Sequence, residues 1–199
     1  MAIAALVVVV AMFVFVFVLR GVIQKRRTGD SGVRTSFAKA SVGSLEWTAG
    51  WLLIVAAAAS VGAPIVELAG LNPLTSSNWF RGAGLVVAIL GVIMTFAAQM
   101  GMGDEWRVGV DASEETGLVT SGFFRLVRNP IFSAIMVAAL GLVLTVPNVV
   151  SIVGFAMLIV SIQLQVRFVE EPHLIRLHGR TYTEYARSVG RFVPGLGRL

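Results

Sequence analysis

A long apolar stretch with a single break in it decides the fold. It reads IFSAIMVAALGLVLTVPNVVSIVGFAMLIVSIQLQV, residues 131–166, and it carries no charged side chain. The pair Pro147-Asn148 marks a tight turn within it. Apolar runs of roughly 17 to 25 residues are long enough to cross a hydrocarbon core of about 30 Å. The stretch therefore predicts a helical hairpin in a membrane, with helices over 131–146 and 149–166.

Three further apolar runs precede the hairpin, over 2–19, 48–66 and 82–100. The chain is 56% apolar and 14% charged, which is outside the range of ordinary soluble domains. The sequence thus predicts an all-α integral membrane protein with five transmembrane helices in one domain, 1–199. Three helices fall in 1–100, and 101–199 is the half expected to carry the chemistry. The first run lacks a preceding basic residue and a cleavage pattern, which favours an anchor over a removed signal peptide.

The basic residues predict an orientation. Of the 16 lysines and arginines, 15 fall in 20–47, 101–130 and 167–199. Basic loops are retained in the cytoplasm, so we expect an external N-terminus and a cytoplasmic C-terminus. This asymmetry explains the net charge of +5 without nucleic acid, for which the chain has no motif. Arginines outnumber lysines 14 to 2, which hints at a GC-rich genome and a bacterial inner membrane.

Composition also limits the chemistry. There are no cysteines, which excludes disulfides, thiol catalysis and thiolate metal sites, and there are two histidines. We therefore predict no metal site.

The pair Asn129-Pro130 predicts a helix start at the cytoplasmic surface. Asparagine is a favoured N-cap, and proline suits the first helical position. The exposed N–H groups of such an end, with Arg128 beside it, form a ready anion site. The alternative is a plain cap, with Arg128 against lipid headgroups.

A second group of charges follows the hairpin. Arg167 and Glu171 are four residues apart and would share one face of a continuous helix. Pro172 predicts that this helix kinks or ends there. Adjacent carboxylates at Glu170 and Glu171 are costly beside a membrane, which favours a bound cation or hydrogen-bond donor over a snorkelling surface cluster. Both alternatives stay open at this point.

The C-terminal residues predict two short helices that cap the cytoplasmic ends of the bundle. The first covers 172–178 and ends at Gly179. The second has the capping-box spacing at Thr181 and Glu184, and Gly190 suits its end.

Three segments together resemble the isoprenylcysteine carboxyl methyltransferase family and its phospholipid N-methyltransferase relatives. They are GLVTSGFFRLVRNPIF at 117–132, the hairpin, and RFVEEPHLIRLHGRTYTEYARSVGRFVP at 167–194. The family pattern runs Leu-Val-x-x-Gly, an aromatic residue, Arg-His-Pro-x-Tyr, a hairpin, Arg-x-x-Glu-Glu-x-x-Leu and Gly-x-x-Tyr-x-x-Tyr before a proline. The matching positions are Leu118, Val119, Gly122, Arg128, Pro130, Arg167, Glu170, Glu171, Leu174, Gly179, Tyr182, Tyr185 and Pro194.

Two positions depart from the family pattern. Asn129 stands where histidine is usual, and Phe132 where tyrosine is usual. Asparagine still donates and accepts hydrogen bonds, so a binding role is retained, but a role that needs an imidazole is not.

The resemblance implies S-adenosylmethionine as methyl donor, bound on the cytoplasmic side between the hairpin and the C-terminal helices. It implies a lipophilic acceptor, a small molecule or a lipidated substrate, that enters laterally from the bilayer lipid. The cofactor contacts it implies are Leu118, Val119, Arg128, Asn129, Pro130, Glu170, His178 and Tyr182. The catalytic residues it implies are Arg167, which would hold an acceptor carboxylate, and Glu171, the base for an amine or thiol acceptor.

Two other functions remain open from the sequence. Sterol reductases that use NADPH resemble the same methyltransferases in their C-terminal halves, but this chain is short for a sterol pocket and has no Gly-rich dinucleotide motif. A membrane scaffold without activity is favoured only by the departures at Asn129 and Phe132.

Overall fold

The computed structural model describes residues 1–33, 40–108 and 117–199. The regular structure of these residues is helical, which confirms the predicted all-α class. The helices are α1 (Ala2–Thr28), α2 (Leu45–Leu68), α3 (Asn78–Gly101), α4 (Pro130–Thr145), α5 (Val149–His178) and α6 (Arg180–Ser188). Single 3₁₀ turns lie at Gly103–Glu105 and Gly122–Arg125.

Four of these helices, α1, α2, α3 and α5, are long and apolar enough to cross a membrane. The chain is thus an integral membrane protein. Helix α4 has 16 residues and extends only about 24 Å, less than a hydrocarbon core of about 30 Å. The count of five crossings therefore stays a prediction, as does the orientation. Two of the basic residues behind the orientation, Arg34 and Lys39, lie outside the described residues.

Polar caps set where the membrane helices begin. Ser44 accepts a hydrogen bond from the Trp47 N–H at 3.2 Å, so α2 begins three residues before its apolar run. Asn148 forms a capping box with Ser151, and α5 begins directly after the hairpin turn as predicted. Hydropathy locates a membrane helix, whereas the cap residue fixes its first turn.

The helices pack as two close pairs. Helix α3 packs on α4 through small residues, since a Cβ on Gly91 would lie 2.3 Å from the backbone nitrogen of Ala138. Helix α2 packs on α5 in the same way, since a Cβ on Gly154 would lie 2.6 Å from the Cβ of Ala59. Small residues allow the backbones of membrane helices to approach and gain dispersion contacts.

The two hairpin helices therefore have different partners and leave space between them. The turn between the hairpin helices forms hydrogen bonds with both helix pairs. Arg81 of α3 forms an ion pair with Glu67 of α2, and its Nε donates to the Thr145 carbonyl at 2.9 Å. Asn148 Nδ2 donates to the Ala63 carbonyl at 2.9 Å. The pairs are thus joined near the hairpin turn, and a cavity lies between them.

The expectation at Pro172 is that the fifth helix kinks or ends there, and the end is wrong. Helix α5 continues to His178 as one helix, through a π-helical segment at Gln165–Glu170. Proline deprives an α-helix of a hydrogen bond and crowds the carbonyl of the preceding turn, and here the preceding turn is π-helical. Helix α1 has a similar π-helical segment, Val14–Leu19, without a proline. The separate short helix predicted over 172–178 is therefore the end of α5.

Gly179 ends α5 with φ +53°, as predicted, and α6 begins at the next residue, Arg180. The predicted capping box of Thr181 and Glu184 is wrong, because the N-cap is Gly179, two residues before Thr181. Glu184 pairs with Arg180 at 2.6 Å instead. Helix α6 and the residues after it lie over the start of α4.

Candidate active site

A cavity of about 660 Å³ runs between the two helix pairs. From the hairpin turn to the start of α4 it is lined mainly by apolar side chains of α1, α2, α4 and α5. We call this part the apolar shaft. At the other end, polar groups from three parts of the chain converge. They are Gln99, Glu105, Trp106, Arg107, Arg128, Asn129, Glu170 and His173. We call this part the polar end.

The structure brings four of the predicted cofactor contacts to the polar end. Arg128, Asn129 and Pro130 line it from the start of α4, and Glu170 lines it from α5. Sequence reasoning missed His173 and Leu174, which line the same end. Their spacing of three and four residues from Glu170 was the available signal, since it places all three side chains on one helix face.

The start of α4 is as predicted, but the cap is not. Asn129 occupies the N-cap position, yet its side chain makes no capping hydrogen bond. Its Nδ2 donates to the Arg191 carbonyl at 3.1 Å instead. The N–H groups of Ile131 and Phe132 therefore have no partner within the helix, and both residues line the cavity. The positive end of the α4 dipole therefore lies beside the polar end.

Arg128 is buried and its hydrogen bonds go to the protein. Its side chain is 1% exposed, and Nη2 donates to Glu171 Oε1 at 2.7 Å. The remaining bonds go to the carbonyls of Ala186, Val189 and Gly197, at 2.7, 2.6 and 3.1 Å. Its guanidinium thus fastens the C-terminal residues to the start of α4.

Glu171 completes this cluster. Arg191 donates to both of its carboxylate oxygens, from Nε at 2.7 Å and from Nη2 at 2.8 Å. The same carboxylate raises the pKa of Arg191 above its ordinary value. We call Arg128, Glu171 and Arg191 the ion cluster. Glu171 is absent from the cavity lining that the structure describes, and its oxygens face two arginines.

Arg167 does not share a face with Glu171. It lies exposed on α5, and its Nε donates to Gln163 Oε1 at 2.7 Å. The predicted shared face assumed a regular α-helix. The π-helical segment Gln165–Glu170 has the i to i+5 pattern, which changes the angle between residues four apart. Glu171 is consequently turned inward and Arg167 outward.

The other predicted cofactor contacts lie away from the cavity lining. Leu118 and Val119 are half-buried in the segment before the Gly122–Arg125 turn. His178 lies at the end of α5, with Nε2 buried and without a hydrogen-bond partner. Tyr182 is buried beside the ion cluster, and burial raises its pKa to about 12. Its phenol is therefore protonated under ordinary conditions.

The loop that carries Arg107 is held by the end of α1. The Arg20 guanidinium stacks over the Trp106 ring, 4.6 Å from its centroid, and Nη2 donates to the Gly103 carbonyl at 2.5 Å. Gln24 donates to the Asp104 carbonyl at 2.7 Å. Buried polar contacts of this kind fix Trp106 and Arg107 at the polar end.

Comparison with known proteins identifies the family to which the chain belongs. The sequence model described as phospholipid methyltransferase matches residues 79–181, which is more than half of the chain. The chain belongs to this phospholipid methyltransferase family. The resemblance seen in the sequence motifs is thereby confirmed. The match covers α3 except its first residue, all of α4 and α5, and the start of α6, and so it includes the polar end.

The relatives of this family member include isoprenylcysteine enzymes. Protein-S-isoprenylcysteine O-methyltransferase A from Arabidopsis thaliana is 33% identical over 118 residues, 58% of this chain and 60% of the relative. Protein-S-isoprenylcysteine O-methyltransferase B from the same plant is 28% identical over 132 residues, which are 65% of this chain and 67% of the relative. The protein-S-isoprenylcysteine O-methyltransferase of Dictyostelium discoideum is 28% identical over 124 residues, which are 61% of this chain and 52% of the relative. The aligned region thus spans about 60% of the first relative.

Proposed function

We propose that this protein transfers a methyl group from S-adenosylmethionine to the carboxylate of a lipophilic acceptor of the isoprenylcysteine kind. The observation that carries the proposal is the cavity, which joins a long apolar shaft to a charged polar end at the start of α4. A charged cofactor suits the polar end, and a hydrocarbon chain suits the shaft. Family membership and the isoprenylcysteine relatives support the same chemistry.

The polar end has groups of both signs for the cofactor. The N–H groups of Ile131 and Phe132, at the positive end of α4, suit its carboxylate. Glu170 suits its cationic groups or ribose hydroxyls, since within the described residues it accepts a single long hydrogen bond, of 3.4 Å, from Gln165. When bound, S-adenosylmethionine supplies an activated methyl group on its sulfonium.

Direct contact from Arg128 is not part of this proposal, because both terminal nitrogens of its guanidinium donate to protein groups, although its buried Nε has no hydrogen-bond partner among the described residues. We propose that the ion cluster, with Tyr182 beside it, positions the start of α4. Leu118, Val119 and His178 stay proposed cofactor contacts only through the family resemblance.

The protein's task toward a carboxylate acceptor is to orient it and to exclude water. The carboxylate is already ionised near neutral pH, so no general base is needed. This agrees with the placement of Glu171, which is held between two arginines. Arg107 lines the polar end, where its Nη1 donates to the carbonyls of Asp104 and Trp106 at 2.9 and 3.0 Å. It is our proposed partner of the acceptor carboxylate, in place of the exposed Arg167.

A second candidate acceptor is the amine of a phospholipid headgroup, which the description of the matched family favours. An amine must lose a proton before it attacks. Glu170 is the carboxylate at the polar end that we propose for that role. The NADPH-dependent reductase and the inactive scaffold gain no support from the family match.

We also propose that the polar end faces the cytoplasm, with the N-terminus outside, in a bacterial inner membrane. The supporting observation is the location of 15 of the 16 basic residues in three segments on one side of the predicted topology. The chain has no cysteine, so single cysteines introduced at Ala2 and at Leu199 can be labelled from either side. External labelling of Leu199→Cys would contradict this orientation.

Methyl transfer in detergent tests the reaction. Purified protein is given S-adenosylmethionine labelled in its methyl group, with N-acetyl-S-farnesyl-L-cysteine or phosphatidylethanolamine as acceptor. We expect a base-labile methyl ester of the farnesyl acid and no label in the amine lipid. Label in the amine lipid alone would select the second candidate, and label in neither would contradict the carboxylate proposal.

A further inference from the structure

The residues that line the cavity differ in exposure. Those of α3, α4 and α5 are buried or half-buried, and the exposed ones belong to two helices. Among the lining residues that the structure describes, the exposed ones are Val10, Phe13 and Phe17 on α1 and Leu53, Ala57 and Val61 on α2. The spacing of four residues places Leu53, Ala57 and Val61 in one stripe along α2. On α1, Phe17 lies in a π-helical segment, Val14–Leu19, and its ring centroid is 5.9 Å from that of Phe13, so these two lie side by side. The cavity therefore opens between these two sets of residues.

The two helices meet at one end of this opening and not at the other. Ala5 and Val8 of α1 share a packed cluster with Ala63 of α2, near the hairpin turn. Further along, Phe13 is 61% exposed and Leu53 is 43% exposed although both line the cavity. The gap thus lies along the half of the shaft that leads to the polar end.

On the opposite side, the described residues that line the cavity are buried or half-buried. Between α4 and α5, Phe132 and Phe155 pack against a buried cluster that contains Leu158 and Ile162. Phe192 from the C-terminal segment packs against the same cluster. The shaft is therefore walled by side chains on the hairpin side, and its exposed rim lies on the side of α1 and α2.

We infer that the gap between α1 and α2 is the portal through which the apolar chain of the acceptor enters from the bilayer. The inference rests on the proposed function and specifies where its acceptor binds. All six rim residues are apolar, and both helices are among those able to cross a membrane, so the rim faces hydrocarbon. The occupant is a single hydrocarbon chain, whose polar head reaches Arg107 at the polar end.

The portal has a consequence for specificity. Both of its helices precede residue 79, where the match to the family begins. The shared part of the chain supplies the polar end, whereas α1 and α2 supply the rim. Entry of the acceptor chain is accordingly controlled by α1 and α2, and a bulky side chain in place of Ala57, the smallest rim residue, would narrow the entrance.

Neighbouring alanines on α2 provide a matched test. Ala57 is exposed and lines the cavity, whereas Ala58 is exposed and is absent from the lining. We compare Ala57→Trp with Ala58→Trp in the methylation of N-acetyl-S-farnesyl-L-cysteine. We expect Ala57→Trp to raise the KM for this acceptor about tenfold or more while the KM for S-adenosylmethionine is unchanged. Ala58→Trp should match the unsubstituted protein.

A reversible version separates blockage from misfolding. In this cysteine-free chain, Ala57→Cys and Ala58→Cys are each modified with a benzyl methanethiosulfonate, and completeness is checked by mass spectrometry. Modification of Ala57→Cys should raise the acceptor KM, and dithiothreitol should restore it. Modification of Ala58→Cys should leave the acceptor KM unchanged.

Two results would overturn the portal. One is an unchanged acceptor KM in both bulky Ala57 variants, and the other is an equal rise at Ala57 and Ala58. Failure of the proposed function gives a different result. In that case the unsubstituted protein methylates no probe acceptor, and the portal is rejected with it.

Discussion

At the residue scale, Glu171 connects parts of the chain that are distant in sequence. It accepts hydrogen bonds from Arg128, 43 residues before it, and from Arg191, 20 residues after it. A buried carboxylate and its two arginines stabilise the fold only when all three are present, because removal of one partner leaves a charge without its counter-ion. The ion cluster therefore holds the C-terminal segment on the start of α4.

We predict that Glu171→Gln lowers the free energy of unfolding by about 3–5 kcal/mol, because it leaves the buried guanidinium of Arg128 and the half-buried one of Arg191 without their counter-ion. Glu184→Gln is the matched control. Its carboxylate side chain is 59% exposed in the pair with Arg180, and exposed pairs contribute little. Thermal unfolding in detergent checks both variants. Equal stability of the two would show that the ion cluster does not hold the fold.

The two tyrosines give a prediction for pH. Burial raises the pKa of Tyr182 and of Tyr185 from 10.0 to about 12, and Tyr185 donates to the Phe124 carbonyl at 2.6 Å. A raised pKa means that protonated phenols stabilise the fold below pH 10, and that this contribution is lost as pH rises through about 12. They are the chain's two tyrosines, so ultraviolet difference absorption reports them alone. We expect no tyrosinate near pH 10 in folded protein, and titration there would contradict their burial.

The arginines that surround the site make separable predictions. Arg107→Ala should raise the KM for the farnesyl acid at least about tenfold with little effect on S-adenosylhomocysteine affinity, since a charge-assisted contact to the acceptor is lost. Arg167→Ala should be close to unsubstituted protein, because Arg167 is exposed and bonded to Gln163. Steady-state kinetics of the two variants show which arginine contacts the acceptor carboxylate. The reverse pattern would assign the acceptor carboxylate to Arg167.

The sequence was sufficient to predict that some of these residues belong to the site, but it was not sufficient for others. Asn129-Pro130 and Glu170 carry local signals, a helix start and a costly charge beside the membrane, and the structure places them at the polar end. Arg191 carries no such signal, since its partner Glu171 is 20 residues away. Distant pairing of this kind requires the folded chain.

At the element scale, the apolar runs located the helices, and the errors occurred at their ends and in their regularity. The π-helical segment Gln165–Glu170 has no signature in hydropathy, and it turns Arg167 and Glu171 apart. Pro172 predicted that the helix would be disturbed, but the helix continues past it and is π-helical just before it. Whether a proline ends or widens a helix depends on the packing around it.

Helix packing gives a prediction at this scale. Gly91→Ala should destabilise the protein by about 1–3 kcal/mol or more, because the new Cβ would lie 2.3 Å from the Ala138 backbone nitrogen. Gly62→Ala on α2 is the matched control, since nothing lies within 4 Å of its Cβ position. Thermal unfolding and monodispersity in detergent check both. An unchanged Gly91→Ala variant would mean that α3 and α4 are not in backbone contact.

At the scale of the whole molecule, two helix pairs are joined near the hairpin turn and enclose one cavity between them. The pair α3–α4 and the helix α5 supply the polar end, and they lie within the region that matches the family. Helices α1 and α2 supply the open rim. Composition predicted a membrane protein correctly, but the pairing of α4 with α3 and of α5 with α2 comes from close packing of small residues, which hydropathy does not report.

The central claim is that the polar end binds S-adenosylmethionine, and calorimetric titration of the detergent-purified protein tests it most directly. The titrants are S-adenosylhomocysteine and, separately, NADPH, with Glu170→Ala and the control Glu184→Ala measured beside the unsubstituted protein. We predict saturable binding of S-adenosylhomocysteine, weaker in Glu170→Ala and unchanged in Glu184→Ala, and no binding of NADPH. Binding of NADPH alone, or of neither titrant by folded protein, would contradict the methyltransferase account.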